Sequence, residues 1–145
     1  MNSSARNLQT IWCGENIVGF FTKIVKIKSQ CPDTFAVWSG NDDQILPILS
    51  LGGIGVISTM ANVIPAETHE ICALWQNGDR EEAAKLQIYC QPLIQALFRE
   101  VNPIPVKTAL SMMGRDTGYL RQPLTCIGYS AKEELQKVMQ EMNLI

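Results

Sequence analysis

The stretch Phe35-Ala36-Val37-Trp38-Ser39-Gly40-Asn41-Asp42-Asp43, continued by Ile45-Leu46-Pro47-Ile48-Leu49 and closed by Gly52-Gly53-Ile54-Gly55-Val56-Ile57-Ser58, decides the fold. Its two ends are continuous apolar runs rich in β-branched or aromatic residues, not strict alternations. Such runs mark strands buried on both faces. Between them Ile45, Leu46, Ile48 and Leu49 form a helical pattern, which Gly52-Gly53 ends. Strand, helix, strand implies parallel pairing through a right-handed crossover.

Working upstream, Asn16-Ile17-Val18-Gly19-Phe20-Phe21 reads as a third buried strand, with Ile24 and Ile27 on a helix behind it. Working downstream, the remainder reads as helical. Residues 67–75 place Ile71 and Leu74 on one side, and Asn77-Gly78 marks a turn. Asp79 stands three residues before Glu82, as in a capping box. Ala83, Leu86, Cys90, Leu93, Ile94 and Leu97 then recur at helical spacing, and Pro92 inside that pattern predicts a kink or a split. Asn102-Pro103-Ile104-Pro105 predicts an extended link. Val106, Ala109, Leu110 and Met113 make a further apolar face closed by Gly114. Ser130 and Glu133 read as a second capping box opening a last helix, with Leu135, Val138 and Met142 inward. A single domain over residues 1–145 is the simplest account, with a βα part at 15–65 and a helical part at 66–145.

The 145 residues are 46% apolar and 18% charged, enough for one core. A net charge of −2 gives no reason to expect nucleic acid or an anionic membrane as partner. No apolar run reaches the roughly 18 residues of a bilayer span. Met1-Asn2-Ser3-Ser4-Ala5-Arg6 has no apolar stretch of the signal-peptide kind, so a cytoplasmic location is the expectation. The five cysteines, Cys13, Cys31, Cys72, Cys90 and Cys126, lack C-x-x-C spacing. Free, mostly buried thiols are expected, with no metal site and no cofactor.

Several strings occurring in order carry a family resemblance: Ser39-Gly40-Asn41-Asp42-Asp43, Leu51-Gly52-Gly53-Ile54-Gly55-Val56-Ile57-Ser58, Ala61-Asn62-Val63, Asn102-Pro103-Ile104-Pro105-Val106-Lys107 and Leu120-Arg121-Gln122-Pro123-Leu124. From about Asn16 onward the chain resembles the C-terminal half of dihydrodipicolinate synthases and the related N-acetylneuraminate lyases. The resemblance implies an α/β fold: a partial (β/α) barrel of the TIM type with about three parallel strands, then a C-terminal helical bundle. It also implies a class I aldolase of lysine biosynthesis, in which a strand lysine forms a Schiff base with pyruvate. By the same resemblance Gly40 and Ile57 match residues that line the pyruvate pocket, and active groups of such barrels sit at the C-terminal strand ends. Without the rest of a pocket, a turn glycine and a core isoleucine are the plainer reading of the two.

What fails to match bears on function. The family's lysine belongs on the strand beginning Asn-Ile-Val-Gly, and here that place holds Phe21 in a segment shorter than the family's. Lys23 is the one weak candidate for the amine. On a strand it shares the face of Phe21, one step of about 6–7 Å away, whereas productive attack tolerates a misplacement of about 1 Å. A solvated lysine is the plainer reading. No segment matches the family's paired threonines, relay tyrosine or carboxylate-binding arginine. Tyr89, Tyr119 and Tyr129 read as packing residues with a polar tip, Arg115 and Arg121 as surface or structural groups, and His69 as a surface helix position. Asp42-Asp43 could hold a cation, but a cap of the following helix is the plainer reading. The sequence therefore predicts a synthase-like chain without aldolase activity of its own. The alternatives are activity with a separate N-terminal barrel half, or an autonomous lyase using Lys23. A narrow sheet with open edges also predicts a homo-oligomer.

Overall fold

The computed structural model describes residues 17–32 and 34–145, and side chains from residue 22 onward. Cys13 and Asn16 lie outside the described residues. The chain forms two compact units, residues 1–57 and 58–145.

In the first unit, α1 (Ile17–Gln30) is followed by β1 (Trp38–Ser39), a 3-10 turn at Asp42–Gln44, α2 (Ile45–Ser50) and β2 (Gly55–Val56). The two strands pair in parallel, Trp38 with Gly55 and Ser39 with Val56. The ladder extends beyond them, since Ile54 N–H donates to Val37 O at 2.9 Å and Ile57 N–H to Ser39 O at 2.8 Å. Ile24 of α1, Val37 and Ile48 of α2 close a small core, with Ile27, Phe35 and Leu51 packed against it. Gly55 has a steric reason: a Cβ there would lie 2.7 Å from the Trp38 ring, which crosses the neighbouring strand. Gly52 ends α2 at φ +83°. Gly53 N–H bonds back to Ile48 O at 2.8 Å and Gly52 N–H to Leu49 O at 3.1 Å, a Schellman closure.

The third expected strand is not there. Residues 17–21 open α1. The run from Phe20 to Lys28 contains no Gly, Pro, Asn or Asp to punctuate a strand–turn–helix sequence. Phe20, Ile24, Ile27 and, just beyond the run, Cys31 also recur at three and four, the helical period. The βα reading therefore holds with two strands among the described residues instead of about three.

The second unit is helical: α3 (Pro65–Asn77), α4 (Arg80–Leu97), α5 (Ile104–Met112) and α6 (Tyr129–Glu141), preceded by a 3-10 turn at Met60–Asn62. Helices α3 and α4 form a hairpin, α6 packs on α4 and α5, and the 3-10 turn packs on α3, α4 and α5. The core contains Met60, Ile71, Cys90, Leu93, Leu97, Ala109, Leu135 and Met139, all fully buried. Gly78 joins the hairpin at φ +93°, which an L-residue with a Cβ rarely adopts.

Several local expectations are corrected in whole or in part. Of the kink or split expected at Pro92, the split does not occur, since α4 runs through it. The carbonyl it leaves without a helical donor is that of Ile88, which is 71% exposed, so water can serve it. The Asn102–Pro105 link is a turn after which α5 begins at Ile104, and Pro105 sits in the first helical turn, where a missing N–H costs nothing. Ser130 lies inside α6, whose cap position is Gly128. Asp79 does occupy the cap position of α4 but makes no side-chain cap bond. The cysteines are less buried than expected: Cys90 is buried, Cys31 and Cys72 are half-buried, and Cys126 is exposed.

The Asn-Pro-Ile-Pro-Val-Lys string acquires a structural account here. Ile104, Pro105 and Val106 are buried, and Asn102 Nδ2 donates to Thr59 Oγ1 at 3.1 Å. Lys107 Nζ reaches Asp116 Oδ2 at 2.9 Å, while Gly118 N–H donates to Asp116 Oδ1 at 3.1 Å. The Lys107 ammonium, aided by the Gly118 amide, holds the Asp116 carboxyl below its ordinary value of 3.8. A carboxyl depressed on folding adds stability that is fully present above 3.8 and fades as pH falls through the lower folded value. Thermal unfolding followed between about pH 5 and about pH 2 should lose stability less steeply in Lys107→Met than in the parent. Superimposable acid limbs would refute the pairing.

Candidate active site

The C-terminal ends of β1 and β2 are where the sequence places its candidate contacts. Gly40 follows β1 directly and Ile57 follows β2. One step beyond the observed pairs, the parallel register sets Gly40 beside Ile57. Gly40 is half-buried, and Ile57 is 50% exposed at the strand end.

The backbone around Gly40 is fixed locally. Ser39 is fully buried; its Oγ donates to Asn41 O at 2.7 Å and accepts from Asn41 N–H at 3.3 Å. These bonds clamp the turn that contains Gly40, while Ser39 O is held by Ile57 N–H. The two candidate residues are thereby tied together through Ser39. The sequence reading passed over Ser39, and only the burial of a serine just before a strand-end glycine would have marked it.

Asp42 also differs from expectation. The cap position of the 3-10 turn is Asn41, which makes no side-chain cap bond, and Asp42 lies within that turn. Asp42 is fully buried, so it is not a surface cap. Asp43 is exposed, but partial loss of solvent pushes its carboxyl above the ordinary value, opposed by a backbone hydrogen bond.

Lys23 is placed differently from its sequence expectation. It lies on α1, exposed, and residues two apart on a helix point roughly 200° apart. The strand that would have set Lys23 one step along from the family's lysine place does not form there. The phenolic side chains are corrected as well, since Tyr89, Tyr119 and Tyr129 are 56%, 72% and 78% exposed. Arg115, Arg121 and His69 are exposed, as the sequence indicated. Among the described residues no group of three or more His, Cys, Asp or Glu side chains is arranged to hold a metal ion, and no helix is long and apolar enough to cross a membrane.

A glycine and an isoleucine at adjacent strand ends can offer main-chain polar groups and an apolar wall to a small ligand. They offer no nucleophile and no proton-transfer group.

Comparison with known proteins gives this site its family. The model of the dihydrodipicolinate synthetase family matches residues 7–142. The chain is 46% identical over 125 residues to the 4-hydroxy-tetrahydrodipicolinate synthase of Clostridium novyi (strain NT), an alignment covering 86% of this chain and 42% of that protein. The crystal structure of dihydrodipicolinate synthase from Aquifex aeolicus superposes with a TM-score of 0.89 at 34% identity, over 98% of this chain and 47% of that one. The chloride-inhibited synthase from Acinetobacter baumannii, complexed with pyruvate, superposes with a TM-score of 0.81 at 31% identity, over 93% of this chain and 46% of that one. The chain thus spans less than half the length of these relatives. With most of its residues inside the family match, it belongs to the dihydrodipicolinate synthetase family.

Proposed function

We propose that these 145 residues represent the C-terminal half of a pyruvate aldolase barrel and do not condense pyruvate with an aldehyde on their own. The supporting observation is the helical α1 where the family resemblance calls for the lysine-bearing strand, with Lys23 exposed on it. A Schiff-base amine has to be neutral, which takes desolvation or a neighbouring cation. Lys23 is exposed on a helix surface, so burial supplies no desolvation. In this reading Gly40 and Ile57 keep their places at the strand ends as remnants of a pyruvate pocket whose other wall is absent from these residues.

The test is turnover. The purified chain, incubated with pyruvate and aspartate semialdehyde, should consume no pyruvate above the rate without protein. Consumption that scales with protein concentration would overturn the proposal.

A second reading draws on the sheet. Among the described residues β1 and β2 pair only with each other, which leaves an open edge on each side for further strands. A separately supplied N-terminal half of a synthase would complete the barrel and bring the missing groups. A homo-oligomer would be another way to cover those edges, and a cytoplasmic setting suits either reading.

A further inference from the structure

The second unit holds a cavity of about 320 Å³ between α5, the segment that follows it and the first turn of α6. That volume falls at the lower end of the range of about 300–1,000 Å³ found for small-molecule sites. Neither Gly40 nor Ile57 contributes to it. Met112, Leu120 and Ile127, all half-buried, give it an apolar wall. Ser111 and Lys132 supply polar groups, and the exposed Cys126 lines it as well.

The walls belong to packed elements. The Lys107–Asp116 pair and the bond from Gly118 N–H to Asp116 tie the segment after α5 back to that helix. Buried Ala131 and Leu135 seat α6 on the core. Lys132 N–H donates to Gly128 O at 2.9 Å, which sets Lys132 in the opening turn of α6.

The electrostatics of the cavity are one-sided. Lys132 is the one charged side chain among its lining residues, and no carboxylate lines it. Among the described residues no ion pair engages Lys132. Two carboxylates of neighbouring segments are engaged elsewhere, Asp116 by Lys107 and Glu100 by Gly128 N–H at 3.0 Å. An ammonium without a facing acid, beside an apolar wall, is complementary to a ligand with one negative charge and a short hydrocarbon body.

We propose that this cavity binds a small aliphatic monocarboxylate. The carboxylate meets the Lys132 ammonium and the Ser111 hydroxyl, while the hydrocarbon body covers Met112, Leu120 and Ile127 and shields the Cys126 thiol. An uncharged isostere keeps the apolar contact but loses the charge-assisted bonds. A carboxylate without the body gains little from an exposed ammonium in water.

The Cys126 thiol reports occupancy. The full chain is alkylated with N-ethylmaleimide in the presence of hexanoate, hexanamide or acetate, and the rate at each cysteine is read by peptide mass. Hexanoate, in the millimolar range expected for a ligand of this size, should slow alkylation of Cys126 saturably and leave Cys31 and Cys72 unchanged. Hexanamide and acetate at the same concentration should protect far less. Lys132→Gln should raise the hexanoate concentration for half-protection roughly tenfold. Lys132 is exposed, so the substitution leaves the core untouched. Protection is scored as the ratio of rates with and without ligand, which cancels any change the substitution makes to the thiol itself. Absence of protection by hexanoate overturns the proposal, as does equal protection by hexanamide, or protection that Lys132→Gln leaves intact.

Discussion

Leu135→Ala should destabilise the helical unit by about 3 kcal/mol, within the range of about 2–5 kcal/mol for emptying a packed leucine site. Leu135 is fully buried in the middle of α6, on the face it shares with Ala131 and Met139. That face packs on both α4 and α5. The lost methyl groups take their transfer free energy with them, and a cavity walled by three helices relaxes poorly. For a unit of this size the midpoint of thermal unfolding should fall by roughly 10 °C or more. Lys137→Ala, on the exposed side of the same helix, should stay within about 0.5 kcal/mol of the parent. Lys137 makes an exposed ion pair with Glu141 at 3.8 Å. If both substitutions lowered the midpoint equally, the packing assigned to α6 would be wrong.

The inward face of α6 shows how far periodicity carries. Leu135 was legible, and Val138 and Met142 prove half-buried, but Met139 is the residue at the centre beside it. A spacing of three and a spacing of four from Leu135 are equally helical, and only the position of α4 and α5 chooses between them. The strands β1 and β2 were legible because their apolar runs are short and bounded by Gly, Asn and Asp. Their extents were not, since each regular strand is two residues long. Residues 17–21 were misread because β-branched and aromatic content mimics a strand when a family pattern also suggests one. The absence of any turn residue between Phe20 and Ser29 was the better signal.

At the candidate site the sequence placed Gly40 and Ile57 correctly at the strand ends, because a glycine or an apolar residue directly after a strand is a matter of register. It gave no hint that Ser39 ties the two together or that Asp42 is buried, since burial of a polar residue depends on neighbours from elsewhere in the chain. The three tyrosines were expected to pack, and the structure leaves all three in solvent. Phenolic side chains accept either place, so composition alone does not decide between them. The Asn-Pro-Ile-Pro-Val-Lys string, which carried much of the family resemblance, serves the packing of α5 and the Lys107–Asp116 pair. A motif that specifies a fold in this way identifies the family without supplying its chemistry.

The largest functional effect expected is the loss of covalent chemistry with pyruvate. A class I aldolase needs an amine that attacks the ketone, loses water to an iminium, and returns as an enamine. Here the stretch that would present such an amine forms α1, and the lysine nearest the family position projects from it into solvent. An exposed lysine on a helix surface has neither the burial nor the fixed placement that such a nucleophile requires, which is the ground of the proposed inactivity.

Borohydride reduction of the purified chain in excess pyruvate, read by intact mass, addresses this most directly. The account predicts an unmodified mass under conditions that label a complete synthase from one of its relatives. A reduced pyruvate adduct on the parent chain that disappears in Lys23→Ala would contradict it.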